Sequence, residues 1–182
     1  MTTSPARGAV ERFDRACDRL LEPVRRTRAA QALFGSASAA GDFSVVWHVA
    51  GLLLAIGSTE RLREAAFLSC ALGVESLVVN QGVKRIFRRE RPTESGDERF
   101  AVRTPSTSSF PSGHASSATF AAMILVSFTG WPGGWVFVVV AVVVALSRVM
   151  VRIHHASDIV GGVVVGAVLG AVALSVLPVF LG

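Results

Sequence analysis

Three short stretches of the chain carry residues that could do chemistry together. The first is Pro111-Ser112-Gly113-His114, a polar turn between an arginine-rich connection and an apolar run that starts at Ala115. Proline suits the first position of a helix, and the unpaired N–H groups there attract anions, so this turn could hold a phosphate beside a histidine. A histidine that merely caps a helix gives the same string. The second stretch is Lys84, followed seven residues later by Arg91-Pro92. If a helix persists between them, Lys84 and Arg91 share a face and two cations converge on one anion. The third is Ser147-Arg148, then His154, then Asp158. Arg148 offers a planar fork that matches phosphate oxygens. Asp158 stands four residues after His154, where a carboxylate bonded to one ring nitrogen leaves the other free to attack. His154 is therefore the candidate nucleophile; the plainer alternative is an aspartate capping the next helix beside a surface histidine. His155 points elsewhere on a helix and is assigned to the periphery.

The elements that must position these residues follow from composition. Of the 182 residues 51% are hydrophobic and the mean hydropathy is +0.53, the profile of a membrane protein. The net charge of +5 would suggest nucleic acid in a soluble chain. Here the basic residues flank apolar runs, so lipid head groups are the expected partners and nucleic acid is not. Cys17 and Cys70 stand apart and imply neither a disulfide framework nor a zinc site. No signal peptide is read at the N-terminus.

From Ala9 to about Leu33, Val10, Phe13, Cys17, Leu20, Leu21 and Val24 recur at helical spacing among arginines. This predicts an amphipathic helix, kinked or ended near Pro23, lying on a membrane surface or packed on a bundle like a soluble helix. Residues 35–41 read as a linker, with Asp42 as cap of the next helix. Residues 1–42 thus form an N-terminal interfacial segment and residues 43–182 a transmembrane domain. Five spans are predicted in that domain. The first is Phe43 to Ile56, which is short and must extend at one end. The others are Ala65 to about Phe87, Ala115 to about Gly130, Trp135 to about Met150, and Asp158 to about Leu181. His48 reads as a packed or hydrogen-bonded helix residue. Glu75 lies at membrane depth, as a functional group or as a protonated or paired structural one. Glycines 161, 162, 166 and 170 permit close helix contact within the chain or in a homodimer. Turns alternate sides, so residues 84–114 and 147–158 meet at one membrane face.

Taken together, Lys84 to Arg91-Pro92, Pro111 to His114, and Ser147-Arg148 to His154 and Asp158 resemble the tripartite signature of the type 2 phosphatidic acid phosphatases, the PAP2 superfamily. The resemblance implies an all-α, integral membrane helical bundle that removes phosphate from a lipid without a cofactor. It implies that His154 attacks phosphorus to form a phosphohistidine, that Asp158 orients it, and that His114 protonates the leaving oxygen. Lys84, Arg91, Arg148, Ser112 and Gly113 would hold the phosphoryl oxygens. No metal is expected, because Glu90, Glu94, Asp97 and Glu98 form no recognisable ligand pattern and read as a solvated loop or a lid.

Well-known integral members of the family resemble a six-span core with an outward site, one span more than is counted here. The arginines at 7, 12, 15, 19, 25, 26 and 28 put the N-terminus in the cytoplasm, and two spans further on the site faces the cytoplasm too. That orientation suits phosphatidate, phosphatidylglycerol phosphate or a polyprenyl-phosphoryl sugar phosphate. Compact actinobacterial members that act on decaprenylphosphoryl-5-phosphoribose look similar in size and layout. An outward site would favour undecaprenyl pyrophosphate. The rival classes are a vanadium haloperoxidase and a non-catalytic binder of anionic lipid.

Overall fold

In the computed structural model, which describes residues 5–93, 97–100 and 107–181, every regular element among the described residues is a helix. The predicted N-terminal helix is in fact two, α1 (Pro5–Arg25) and α2 (Arg28–Gly41). Pro23 lies inside the last turn of α1 and the helix stops two residues later, as expected where an N–H is missing. Thr27 is extended and its hydroxyl accepts from the Ala30 N–H at 3.2 Å, capping α2. The predicted linker at 35–41 is helical, because its alanines favour helix and its small side chains let α2 lie close against the helix at 135–150. A Cβ on Gly41 would stand 2.9 Å from Val144 and 2.6 Å from the His114 ring.

A 3-10 turn at Asp42–Ser44 joins α2 to α3 (Val45–Leu54). Asp42 is not the cap of α3: Ser44 precedes that helix and makes no side-chain cap bond. The first apolar segment accordingly begins at Arg28 rather than Phe43. Helix α4 (Thr59–Leu77) is capped by Ser58 and continues through a wide π-turn, Val78–Val83, into the short α5 (Lys84–Ile86). Phe87 is extended and ends it, so Lys84 and Arg91 do not share a helix face; tertiary folding alone brings them near. His48 bonds Ser69 at 2.9 Å and ties α3 to α4.

Three longer helices complete the bundle: α6 (Gly113–Thr129), α7 (Trp135–Met150) and α8 (Ala156–Leu181). Helix α6 begins after Ser112, whose hydroxyl accepts from the Ala115 N–H at 3.4 Å; Pro111 precedes the cap rather than opening the helix. It forms the centre, packed on α8, α7 and α4. Ile124, Leu125, Trp47, Leu68, Leu72 and Val144 fill the core. Helix α8 reaches α6 through glycines: a Cβ on Gly162 would be 2.5 Å from the Ser112 carbonyl oxygen, and one on Gly166 2.3 Å from that of Ser116.

The exterior is apolar where no partner covers it. Val160, Val164, Val168, Val172 and Val176 form an exposed stripe along α8, and α3 and α7 expose Val49, Leu52, Val139 and Val142. A surface of this kind is costly in water and suited to hydrocarbon. Among the described residues, Arg28–Leu54 and Ala156–Leu181 are long and apolar enough to cross a membrane, and Trp135–Met150 is a shorter apolar helix. Helix α1 buries two charged groups and exposes apolar ones alongside Arg7, Arg12, Arg15 and Arg19. Its Asp14 and Arg25 are buried against the bundle, while Val10, Phe13, Leu20 and Val24 are exposed.

Gly166→Ala is expected to destabilise the protein by about 1–3 kcal/mol through overpacking. Gly73→Ala, where nothing lies within 4 Å, should be neutral or stabilising by up to about 1 kcal/mol. Thermal unfolding in detergent checks both, and equal effects would contradict the close α6–α8 contact.

Candidate active site

His154 sits in the turn between α7 and α8 because the helix cannot continue past Val151. Arg152 adopts a left-handed φ of 58°, and the Arg148 carbonyl receives the N–H groups of both Ile153 and His154 at 3.3 and 3.2 Å. The ring is buried. Its Nδ1 lies 3.5 Å from Asp158 Oδ2 and 3.4 Å from Ser109 Oγ, and its Nε2 lies 3.3 Å from Arg91 Nη1. A guanidinium only donates, so Nε2 carries the lone pair and Nδ1 the proton. Burial holds the His154 pKa down to about 3, against the pull of Asp158 and with the help of Arg91. The imidazole is therefore neutral at physiological pH.

Asp158 is fully buried in the first turn of α8 and its carboxylate is saturated. It accepts from Ser109 Oγ at 2.5 Å and the His155 N–H at 2.8 Å on Oδ2, and from Arg89 Nη1 at 2.6 Å on Oδ1. Arg89 also donates to Asp14 Oδ2 at 2.6 Å and to Ser157 Oγ at 2.7 Å. Asp14 in turn accepts from the Ser157 N–H at 2.8 Å. A continuous polar chain thus runs from α1 through Asp14, Arg89 and Asp158 to His154. No motif or spacing points to Asp14, which is one acid among several on α1. Arg89 and Ser109 lie beside the motifs, but no spacing singled them out.

Arg91 and Arg148 act on the histidine, and Lys84 stands close to both of these cations. Lys84 is buried at the end of the α4–α5 helix, and its Nζ is 3.5 Å from where a Cβ on Gly113 would stand. Glycine at 113 therefore leaves the ammonium room beside the turn backbone. Arg148 is 1% exposed; its Nη1 donates to Ser38 Oγ, while its Nε and Nη2 are buried with no hydrogen-bond partner among the described residues. Arg91 donates to the Ile153 carbonyl at 2.7 Å and that of Thr107 at 3.1 Å. Burial lowers the Arg91 pKa, and nearby Asp158 opposes the shift. Buried positive charge with idle donors is costly until an anion arrives.

The Ser112 N–H donates to the Asp158 carbonyl at 3.0 Å, joining the turn at 111–114 to the start of α8. His114, in the first turn of α6, has Nε2 3.1 Å from Asp42 Oδ1 and 3.2 Å from the Ser38 carbonyl. His155 contributes its backbone N–H to Asp158. Glu75 of α4 is buried and accepts from Ser116 Oγ, one turn into α6.

A cavity of about 1010 Å³ opens between α1 and the segments at 87–92 and 149–156, with His154 in its wall and Asp14, Arg89, Arg152 and Phe110 around it. Of the loop acids, Glu90 lines this cavity and Asp97 accepts from Arg99, which lowers its pKa. Arg99 also bonds Glu22 of α1; with Arg26 it holds the Glu22 carboxyl down to about 2. Glu94 lies outside the described residues. Among the described residues no group of three or more His, Cys, Asp or Glu side chains is placed to hold a metal ion.

The model of the PAP2 superfamily matches residues 64–180. A decaprenylphosphoryl-5-phosphoribose phosphatase of Mycobacterium tuberculosis (strain ATCC 25618 / H37Rv) is 37% identical over 125 residues, covering 65% of this chain and 64% of that protein. One from Mycolicibacterium smegmatis is 47% identical over 78 residues, 43% of this chain and 41% of that protein. The chain thus spans less than two thirds of the length of these relatives. A transmembrane PAP2 type phosphatidylglycerolphosphate phosphatase from Bacillus subtilis superposes with a TM-score of 0.66 at 23% identity, over 95% of this chain and 86% of that one. Aquifex aeolicus LpxE superposes with a TM-score of 0.70 at 21% identity, over 88% and 93%. These two likenesses concern the fold.

The Asp14–Arg89 pair should couple measurably. In a double-mutant cycle of Asp14→Ala and Arg89→Met, unfolding in detergent is expected to give an interaction energy of about 1–3 kcal/mol. Strict additivity would mean that α1 is held by other contacts.

Proposed function

The chain belongs to the PAP2 superfamily, and from that premise we propose that it hydrolyses a membrane lipid phosphate through a covalent phosphohistidine. The observation that carries this reading is the neutral His154, with its Nδ1–H toward Asp158 and its Nε2 lone pair facing Arg91. In the proposed reaction Nε2 bonds to phosphorus as the bond from phosphorus to the lipid oxygen breaks, and His114 gives that oxygen its proton. Water then attacks phosphorus, loses a proton to His114, and releases phosphate from His154. Lys84, Arg91, Arg148, Ser112 and the Gly113 backbone hold the phosphoryl oxygens, so charge stabilisation is built before the substrate binds. Asp158 keeps His154 in the attacking tautomer.

The proposed substrate is a polyprenyl-phosphoryl sugar phosphate, and the likeness to the two mycobacterial phosphatases supports decaprenylphosphoryl-5-phosphoribose. The apolar exterior supports a place in a bacterial cell membrane, where the reading retains five spans, and the arginine-rich N-terminus supports a cytoplasmic site.

With chelator present, purified protein is expected to release phosphate from a lipid phosphate, and His154→Ala should lower the rate at least about 10³-fold. Unchanged release would overturn the nucleophile. The low pKa of His154 means that protonation of the nucleophile does not remove phosphoenzyme formation between pH 7 and 5. Alkali-quenched labelling in a single turnover checks this, and a loss centred near pH 6.5 would contradict it. In a panel of lipid phosphates, selectivity for the sugar phosphate supports the proposed substrate, and equal rates contradict it.

Orientation has its own test. In a Cys17→Ser, Cys70→Ser background, Arg99→Cys in intact cells should resist a membrane-impermeant maleimide and react once the cells are opened. Reaction in intact cells would place the site outside.

A further inference from the structure

Asp42 and His114 form a second carboxylate–imidazole pair, close to Arg148. Asp42 belongs to none of the three motifs; its backbone N–H closes the C-terminal end of α2 on the Ala39 carbonyl, which leaves its carboxylate for other partners. Three features of the chain serve its contact with His114. Gly41 lacks the Cβ that would stand 2.6 Å from His114 Cδ2 and 3.2 Å from Nε2, so the ring can lie against the end of α2. Phe43 and Ser44 adopt left-handed φ values of 53° and 59° without being glycine, a costly conformation that turns the chain sharply just after Asp42. Ser38, one helical turn earlier, supplies a carbonyl to the same Nε2 at 3.2 Å while its hydroxyl accepts from Arg148.

Both neighbours of Nε2, a carboxylate and a carbonyl, can only accept. The proton on Nε2 is therefore fixed, and the ring orientation with it. Nδ1 has no hydrogen-bond partner among the described residues. We propose that Asp42 is a positioning residue for His114, holding Nε2–H so that Nδ1 serves as the site of proton transfer to and from the substrate. This rests on the acid role of His114 proposed above. As the bond from phosphorus to the leaving oxygen breaks, the oxygen takes the Nδ1 proton and its electron pair forms the new O–H bond. The ring is left as the neutral Nε2–H form, paired with an Asp42 that stays ionised throughout. In the second half-reaction Nδ1 recovers a proton from the attacking water.

A group that acts only by delivering a proton matters for a poor leaving group and little for a good one. Phosphatidate, whose leaving group is an alkoxide, and p-nitrophenyl phosphate, whose leaving group is a stabilised phenolate, are the two probes. For Asp42→Asn, kcat on phosphatidate is expected to fall about 10- to 100-fold, within the range of general acid catalysis, with kcat on the aryl ester changed less than about threefold. Asp42→Glu should restore much of the phosphatidate rate. Gly41→Ala, which displaces the ring without touching the carboxylate, should show the same selective loss and stands in if Asp42→Asn does not fold. His114→Ala is the comparator, and its loss should be at least ten times greater on phosphatidate than on the aryl ester. If His114→Ala discriminates but Asp42→Asn and Gly41→Ala slow both esters equally or neither, the Asp42 assignment is overturned and the acid role survives. If His114→Ala itself does not discriminate, the acid role falls and Asp42 falls with it.

Discussion

The closeness of α6 and α8 is the constraint on which the rest of the site depends. Glycines 162 and 166 let the two backbones approach until a single methyl group would collide with the carbonyls of Ser112 and Ser116. At that separation the N-terminus of α6 and the first turn of α8 stand side by side, and the Ser112 N–H reaches the Asp158 carbonyl. Two segments more than forty positions apart in the chain are thereby locked in register. A looser interface would leave His154 and the 111–114 turn in place individually and useless jointly, since an in-line displacement tolerates about an ångström of misplacement poorly.

The second organising fact is electrostatic. Lys84 and Arg148 are buried with few or incomplete partners, and Arg91 joins them over His154. Stability alone would not select such a cluster, because like charges repel and desolvated donors cost free energy. Its counterweight is the ring of acids placed around rather than inside it: Asp158 and Asp14 through Arg89, and Asp42 close to Arg148. Under the proposed function the idle donors of Arg148 await the phosphoryl group, while the surrounding carboxylates hold the scaffold together.

Much of this was legible in the chain before folding was considered. Apolar runs marked α6, α7 and α8 almost to the residue, because long uninterrupted helices leave a strong periodic signal. The motifs singled out Arg91, Arg148 and Asp158, which act on His154, because such polar chemistry is unusual beside apolar runs. What escaped was tertiary. Residues 35–41 look like a linker by composition, and only the facing surface of α7 makes small residues an advantage there. Asp42 looked like a cap, since a cap and an imidazole partner have the same sequence. Lys84 and Arg91 are joined by a bend at Phe87, not by helical phase. Asp14 and Arg25 sit in a helix whose charged face reads as its solvent face, yet they are its buried side.

That burial of Asp14 and Arg25 has a mechanical consequence. Arg25 binds the Met150 and Val149 carbonyls at 3.1 and 3.0 Å, closing the C-terminal end of α7, and Asp14 grips the start of α8. The polar side of α1 is thus bolted to the turn that carries His154, and its greasy side faces outward. A helix with such a face floats at a fixed level between head groups and acyl chains. Since both sides belong to one helix, any depth that α1 takes at a membrane surface would also set the depth of His154, as a keel sets the waterline of a hull. Under the proposed function, that coupling would bring His154 to a lipid-borne phosphate at the level of the head groups.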